Sequence, residues 1–373
     1  MRCRIGIDAR SYRRSTSGIG TYTRELLTRL LPLGRANDYI VYLTEDDQAE
    51  WNIVLPHVTT RLVPFPYFSP KEQTHLLKML VADNLDLVHF LNFPHPIRYR
   101  GKFVVTLHDL TMFLFPSHTQ KGSGLVRKVG FQLVFRHAMK KADKVIAISK
   151  NTASDASRLF KVPSDRLSVI YEGGPTVATG GERRLPDSIV GDDPFFIFIS
   201  AWRSHKGLLT LIEAFEKFKH EGGHPHRLVL VGNARSAPPD ILTALEHSSV
   251  KDQIVRTGFI SDEDLSAMLG AADALIMPSE YEGFGLPVLE AFAAGTPVIS
   301  ARNSSLIEVG GEAALFFPTS DAEALADCLR QISNDPTRME SMRALGYRQL
   351  ARFSWDTCAE QTLAVYGEVL GKS

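Results

Sequence analysis

Pro278-Ser279-Glu280-Tyr281-Glu282-Gly283-Phe284-Gly285-Leu286-Pro287-Val288-Leu289-Glu290-Ala291 reads as a loop that turns into a helix, with a glutamate on either side of the turn. The run before it, Ala274-Leu275-Ile276-Met277, is short and apolar and stops at Pro278, as a buried strand does. Gly283 and Gly285 permit a tight turn and a close approach of backbone to a ligand. Leu286 to Ala294 then reads as a helix, broken by Gly295, Thr296 and Pro297 before the next apolar strand, Val298-Ile299-Ser300. Strand, glycine turn and helix N-terminus together form an anion site, because free N–H groups and the helix dipole point at it. Glu282 and Glu290 would repel a phosphate there. A carboxylate instead accepts two hydroxyl hydrogen bonds, which suits sugar and ribose hydroxyls.

Working outward, apolar runs alternate with amphipathic helical stretches along the whole chain, which predicts α/β architecture with parallel sheets. In the first half, strands are expected near Cys3–Asp8, Ile40–Leu43, Thr60–Val63, Leu87–Phe90, Phe103–Leu107, Lys144–Ile148 and Ser168–Ile170. Helices are expected near Gly20–Leu31, Pro70–Ala82, Gly124–Lys141 and Lys150–Phe160. A polar, glycine-rich stretch follows and reads as a linker. The alternation restarts at Phe195–Ile199, with a helix from about Lys206 to Lys219, and runs on to a last helix at Ser354–Leu370. The expected domains are thus 1–172, a linker at 173–193, a second domain at 194–353 and a terminal helix within 354–373. Each domain is doubly wound, and ligands in such sheets sit at the carboxyl ends of the strands, so two facing domains would form a cleft.

A chain of 373 residues has room for two cores. Cys3, Cys328 and Cys358 are scattered and odd in number, which fits a reduced compartment without a disulfide framework. No apolar run is long enough to span a bilayer, and the N-terminus reads as a strand rather than a signal peptide, so the expected location is cytoplasmic. Net charge is zero, but residues 1–172 carry 25 Lys and Arg against 15 Asp and Glu, while 173–373 carry 17 against 27. Such asymmetry points to an anionic partner of the first half. A basic helix with Arg127, Lys128, Arg136, His137, Lys140 and Lys141 among Leu125, Val126, Val129, Leu133 and Val134 suggests an anionic membrane or a lipid diphosphate. The alternative is an ordinary helix packed on the sheet. No basic stripe with interleaved aromatics speaks for nucleic acid.

The run Glu282-Gly283-Phe284-Gly285-Leu286 through Glu290 to Ile299 closely resembles the signature of the retaining family 4 glycosyltransferases. The resemblance extends over nearly the whole chain and is strongest over 195–300. It implies the GT-B fold, two Rossmann-like domains facing a cleft, with the last helix crossing back onto the first domain. It also implies a nucleotide diphosphate sugar as donor, with Glu282 binding sugar hydroxyls and Glu290 the ribose, beside Gly283, Phe284, Gly285 and Leu286.

Departure of a diphosphate needs a positive counter-charge. The family's basic pair falls at Ile199-Ser200-Ala201-Trp202-Arg203-Ser204-His205-Lys206-Gly207. Many members carry an Arg five residues before the Lys, where this chain has Ala201, so either Arg203 substitutes beside Lys206 or the diphosphate contact is partly lost. Gly258, Phe259 and Ile260 would meet the nucleotide base, with Val231-Gly232-Asn233 similarly placed at a strand end. Ser17-Gly18-Ile19-Gly20-Thr21 would approach the diphosphate through Gly18 and Gly20. His108, at the end of an apolar strand in Leu107-His108-Asp109, would position the donor sugar.

No metal or other cofactor is expected, since His89 and His95 lack metal spacing. The segment they flank, with the loops Asn92–Arg100 and Phe113–Gly124, reads as a wall for the acceptor. The start Ser17–Leu26, Ser69-Pro70-Lys71-Glu72-Gln73 and His108-Asp109-Leu110 look most like mannosyl- and rhamnosyltransferases of surface-polysaccharide assembly. The expected reaction is transfer of a hexose, with mannose from GDP-mannose as the first choice, to a glycan or lipid-linked acceptor. A GT-B epimerase and a non-catalytic sugar-nucleotide-binding protein are the alternatives.

Overall fold

A computed structural model describes residues 2–13, 18–115, 125–175, 193–232, 234 and 237–371, with the backbone alone for 125–127. The chain divides into two compact units. The first comprises Met1–Leu110, Gln120–Gly173 and Ser354–Ser373, and the second Thr111–Thr119 and Gly174–Phe353.

The first unit holds β1 (Arg4–Asp8), β2 (Asp38–Leu43), β3 (Val58–Leu62), β4 (Leu87–Phe90), β5 (Phe103–Leu107), β6 (Lys144–Ala147) and β7 (Leu167–Val169). They form one parallel sheet in the order β3-β2-β1-β4-β5-β6-β7. Ile5, Ile7, Leu87, Val88, Val104 and Val105 are fully buried, as expected of strands covered on both faces. Its helices are α1 (Gly18–Leu33), α2 (Glu45–Ala49) and α3 (His75–Ala82), with α4 (Thr111–Leu114) belonging to the second unit, then α5 (Leu125–Lys141) and α6 (Lys150–Phe160).

The second unit holds β8 (Phe195–Ile199), β9 (Arg227–Val231), β10 (Ile254–Gly258), β11 (Ala274–Met277), β12 (Val298–Ala301) and β13 (Ala314–Phe317). Their order, β10-β9-β8-β11-β12-β13, repeats the winding of the first sheet, again all parallel. Around it lie α7 (Leu208–Gly222), α8 (Pro239–His247), α9 (Asp262–Ala271), α10 (Leu286–Ala294), α11 (Leu306–Gly310), α12 (Ala322–Asn334) and α13 (Pro336–Leu350). The core under α7, α8 and α12 is built on Phe196, Phe198, Phe215, Phe218, Leu325 and Leu329. In each sheet the winding reverses once, beside β1/β4 and beside β8/β11, and the carboxyl ends there are where such folds hold ligands.

The last helix, α14 (Trp355–Leu370), packs on α1 within the first unit. Ser354 caps it by accepting from the Asp356 and Thr357 amides. Trp355 and Tyr366 are buried, Arg29 pairs with Asp356 at 3.1 Å, and Lys144 pairs with Glu368 at 2.7 Å.

Several elements differ from the sequence reading. The expected helix over Pro70–Ala82 is a 3-10 turn, Pro70–Gln73, followed by α3, because Thr74 between them has non-helical φ −124° and ψ −63°. The helix expected from Lys206 begins at Leu208, since Gly207 takes φ +70° and a Cβ there would lie 2.0 Å from the Pro278 carbonyl oxygen. Both α2 and α11 are five residues long, too short to show periodicity in the sequence. Thr111–Thr119 groups with the second unit rather than the first. The described part explains this, as the Phe115 ring lies 5.9 Å from that of His205 and 6.3 Å from that of Tyr281. Most of the linker, 176–192, and most of the acceptor-loop segment Phe113–Gly124 lie outside the described residues, as do Ser17 and Asn233.

Candidate functional site

Two loops meet at the switch point of the second sheet. One leaves β8 and carries Arg203 and Lys206. The other leaves β11 and carries Ser279, Glu280 and Glu282. They are tied by the Glu280 amide, which donates to the His205 carbonyl at 2.8 Å, and by the close approach at Gly207.

This brings together two residues 76 apart in sequence: Lys206 Nζ donates to Glu282 Oε1 at 2.7 Å and Oε2 at 2.9 Å. Ser279 Oγ donates to Glu282 Oε1 at 2.7 Å. The loop after β12 supports the glutamate from behind. Ser304 Oγ accepts from the Glu282 amide at 3.0 Å, while Ser305 Oγ donates to the Glu282 and Phe284 carbonyls at 2.9 and 2.7 Å. Ser304 holds φ +44°, a left-handed conformation unusual for a residue with a side chain, and such strain concentrates where a loop is over-determined.

An ammonium has three donors and Glu282 takes two, so among the described residues Lys206 keeps one for an anion. Arg203 is exposed and makes no hydrogen bond or ion pair among the described residues. Gly283 and Phe284 are buried, and Gly285, at φ +117°, opens α10 without a side-chain cap. Leu286 is the first residue of that helix. Glu290, also in α10, makes no side-chain hydrogen bond among the described residues. Burial, with Asp262 adding repulsion, pushes its carboxyl up to about 7. At the end of β10, Gly258 takes φ +71° with open space where a side chain would point. Phe259 beyond it is 86% exposed and Ile260 is partly buried.

In the first unit the picture differs. Gly18 is exposed and Gly20 buried at the start of α1. His108 is only 8% exposed, and its Nε2 lies 2.8 Å from the Leu91 carbonyl oxygen. Its Nδ1 faces the buried Glu172 at 3.6 Å, and the Tyr22 ring meets it edge-on at 4.8 Å.

His89 and His95 do not themselves line the expected wall, because both imidazoles are fully buried. His89 bridges Tyr366 Oη (2.7 Å) and Thr106 Oγ1 (2.9 Å), and burial pushes it down to about 3. His95 bridges the Phe93 carbonyl and His137 Nδ1, each at 2.9 Å, and burial takes it to about 4. Only Ile97, Arg98 and Arg100 of that segment are exposed. In α5, Phe135, Ala138 and Met139 are buried, while Val129 and Leu133 are 47% and 58% exposed.

The sequence reading missed a second charged cluster, at the switch point of the first sheet. Arg10 Nε and Nη2 donate to the two Asp8 carboxylate oxygens at 2.8 Å each, and Nη2 also reaches Glu72 Oε1 at 3.0 Å. The guanidinium lies 4.4 Å from the Tyr67 ring centroid, and all three charged side chains are 5% exposed or less. A pair of charges ending an apolar strand, Asp8-Ala9-Arg10, was the available signal.

Two doubly wound parallel-sheet units, each with a single switch point, are those of the GT-B architecture. Sucrose-phosphate synthase from Thermosynechococcus elongatus superposes with a TM-score of 0.78 at 21% identity, covering all of both chains. HepE from Anabaena, solved in complex with UDP and glucose, superposes with 0.73 at 17% identity, covering 98% of this chain and all of its own. The model described as "Glycosyltransferase Family 4" matches residues 16–176, and that described as "Glycosyl transferases group 1" matches 183–349. The chain belongs to glycosyltransferase family 4.

Among similar curated proteins, O-antigen chain mannosyltransferase B of Escherichia coli is 29% identical over 286 residues, 75% of this chain and 74% of its own. O-antigen chain mannosyltransferase RfbU of Salmonella typhimurium is 22% identical over 353 residues, 92% and 94% of the two chains. The MMP alpha-(1->4)-mannosyltransferase of Mycolicibacterium hassiacum is 28% identical, with 60% of its length covered.

Proposed function

We propose that the chain is a retaining hexosyltransferase that moves mannose from GDP-mannose to a glycan or lipid-linked acceptor in surface-polysaccharide assembly. The mannosyl assignment is supported by the relatives, whose names are those of mannosyltransferases, two of them of O-antigen chains. The observation that carries the reading is the Lys206–Glu282 pair at the switch point of the second sheet.

In this reading Glu282 accepts hydrogen bonds from donor-sugar hydroxyls, and Glu290 from the ribose. Lys206 and Arg203 bind the diphosphate, Lys206 as a point charge and Arg203 through its planar fork. Their charge stabilises the departing nucleoside diphosphate as the sugar–oxygen bond breaks. The backbone of Gly258, Phe259 and Ile260 meets the base, and Gly18 and Gly20 the phosphates. His108 positions the sugar. The leaving phosphate oxygen takes the proton of the incoming acceptor hydroxyl on the same face, which retains configuration without a separate base. The reaction needs no metal, so chelation with EDTA is expected to leave the rate unchanged.

The reading includes peripheral contact with an anionic membrane on its cytoplasmic face, through α5. That helix has five Lys and Arg and no acidic residue, and its exposed Val129 and Leu133 favour interfacial burial over a purely solvated face. Among the described residues no helix is long and apolar enough to cross a membrane.

The test is nucleotide release from a panel of GDP-, UDP-, dTDP- and ADP-sugars, with Glu282→Ala as control. Slow hydrolysis of GDP-mannose alone, abolished in the variant, is the expected result. Turnover of another donor overturns the sugar assignment, and equal rates in the variant overturn the role of Glu282.

A further inference from the structure

Glu172 stands where the sequence reads as the edge of a linker, yet it is 3% exposed. It follows β7, and His108 is the side chain that its carboxyl meets among the described residues. Its nearest ion-pair partner is His108, at 3.6 Å, close enough for charge to act and longer than a formed hydrogen bond. A carboxylate taken out of water this far needs a compensating charge or proton. Burial pushes its carboxyl up, while His108 draws it back down.

The other ionisable groups around the pair do not provide that charge. Tyr22, from α1, and Cys358, from α14, are pushed up by burial and stay neutral. His89, on β4, is pushed down to about 3 and is neutral too.

The imidazole of His108 is constrained at both nitrogens. Nε2 faces a backbone carbonyl, which only accepts, so Nε2 carries a hydrogen. Nδ1 faces a carboxylate. A ring with an oxygen acceptor opposite each nitrogen is satisfied in full only with a proton on both.

We propose that Glu172 is a positioning residue for His108, the second acceptor that keeps both ring nitrogens protonated and the ring in one orientation. The proposal rests on the reading of His108 as a sugar-facing residue. It refines that reading, since a ring bonded at Nε2 and paired by charge at Nδ1 offers the sugar a fixed, charged edge and takes no part in proton transfer. The edge-on Tyr22 closes the third side of the ring. Tyr22 Oη in turn shares Thr106 Oγ1 with His89, whose other nitrogen meets Tyr366 of α14. The orientation of His108 is therefore held from three elements besides its own.

The experiment uses the full chain with histidine ring ¹⁵N labelling and donor hydrolysis of GDP-mannose followed against pH, in wild type, E172Q, H108F and the double variant. In wild type the ring signals lost in H108F should show two protonated nitrogens at neutral pH. In E172Q they should show one, on Nε2. Hydrolysis in E172Q should fall about 10- to 100-fold, the same order as loss of the outer partner of a metal-bound histidine, which is likewise held by its second nitrogen. It should also acquire an ionisation in the neutral range that the double variant lacks. E172D, which keeps the charge, should retain both N–H signals and serves if E172Q does not fold.

A singly protonated His108 in wild type overturns the proposal. So does an equal effect of E172Q with and without His108. If H108F hydrolyses donor like wild type, the sugar-facing reading fails instead, and the ring signals, which need no turnover, still decide the role of Glu172.

Discussion

The two units wind their strands in the same order and place charged residues at the same topological position, but they use those charges in opposite ways. In the first, Asp8, Arg10 and Glu72 are sealed from solvent and satisfy one another. In the second, Lys206 and Glu282 keep 20% and 14% of their side-chain surface exposed, and among the described residues Glu282 is the one side chain that Lys206 bonds. The first cluster pins the segment after β3 to the end of β1, through Arg10 to the Pro66 carbonyl at 3.3 Å and the Phe68 amide to Glu72 at 3.0 Å.

If that contrast is right, breaking the sealed cluster harms folding and breaking the open one harms chemistry. Arg10→Ala leaves two buried carboxyl groups without a counter-charge and should cost about 3–5 kcal/mol in chemical denaturation. A loss below about 1 kcal/mol would place this cluster with the solvated pairs. Glu282→Ala should cut donor turnover about 10²- to 10³-fold, the range for losing one preorganised polar contact in an active site. Its stability should fall by less than the Arg10→Ala loss, about 1–3 kcal/mol, because Lys206 keeps some solvent contact and can hydrate when its partner is gone.

Glu290→Gln sharpens the comparison through pH. With its folded carboxyl at about 7 against an ordinary 4.5, the unfolded chain releases this proton first as pH rises. The group therefore favours folding fully below about pH 4.5, loses that contribution between about 4.5 and 7, and destabilises the fold above. The glutamine variant should be more stable than wild type at pH 8 by about 1–3 kcal/mol, discounted for partial exposure, and about equal at pH 4.5. A gain independent of pH would detach the effect from this ionisation. The smallest effect is expected for Ser304→Gly. It relieves the left-handed backbone but removes the hydroxyl that receives the Glu282 amide, so stability should move by less than about 1 kcal/mol. Donor KM should rise a few-fold, as the supporting bond is indirect.

The fold was legible because parallel strands covered on both faces are written as unbroken apolar runs, such as Phe195–Ile199 and Ala274–Met277. The glutamates at 282 and 290 and the basic residues at 203 and 206 were legible as local motifs. Partnerships were not. Lys206 meets Glu282 across 76 residues and Arg10 meets Glu72 across 62, and no local pattern encodes either. His89 and His95 were legible only as lacking metal spacing, while their hydrogen bonds run to Tyr366 and His137, which only the sheet and its covering helices bring near. Glu172 was hidden by its polar, glycine-rich surroundings, where a buried carboxyl is least expected.

One consequence follows from α14. The helix lies in the first unit, covering α1 and bonding Tyr366 to His89, yet it is encoded after the whole of residues 174–353. On the ribosome, the first unit emerges without this helix and waits through synthesis of the second. Domains usually fold in the order they emerge. Here the second unit has every residue it needs before the first does, and the apolar face of α1 is left uncovered in between. A nascent chain stalled before residue 354 should accordingly be the species that engages chaperones and is cut first by protease within residues 1–173.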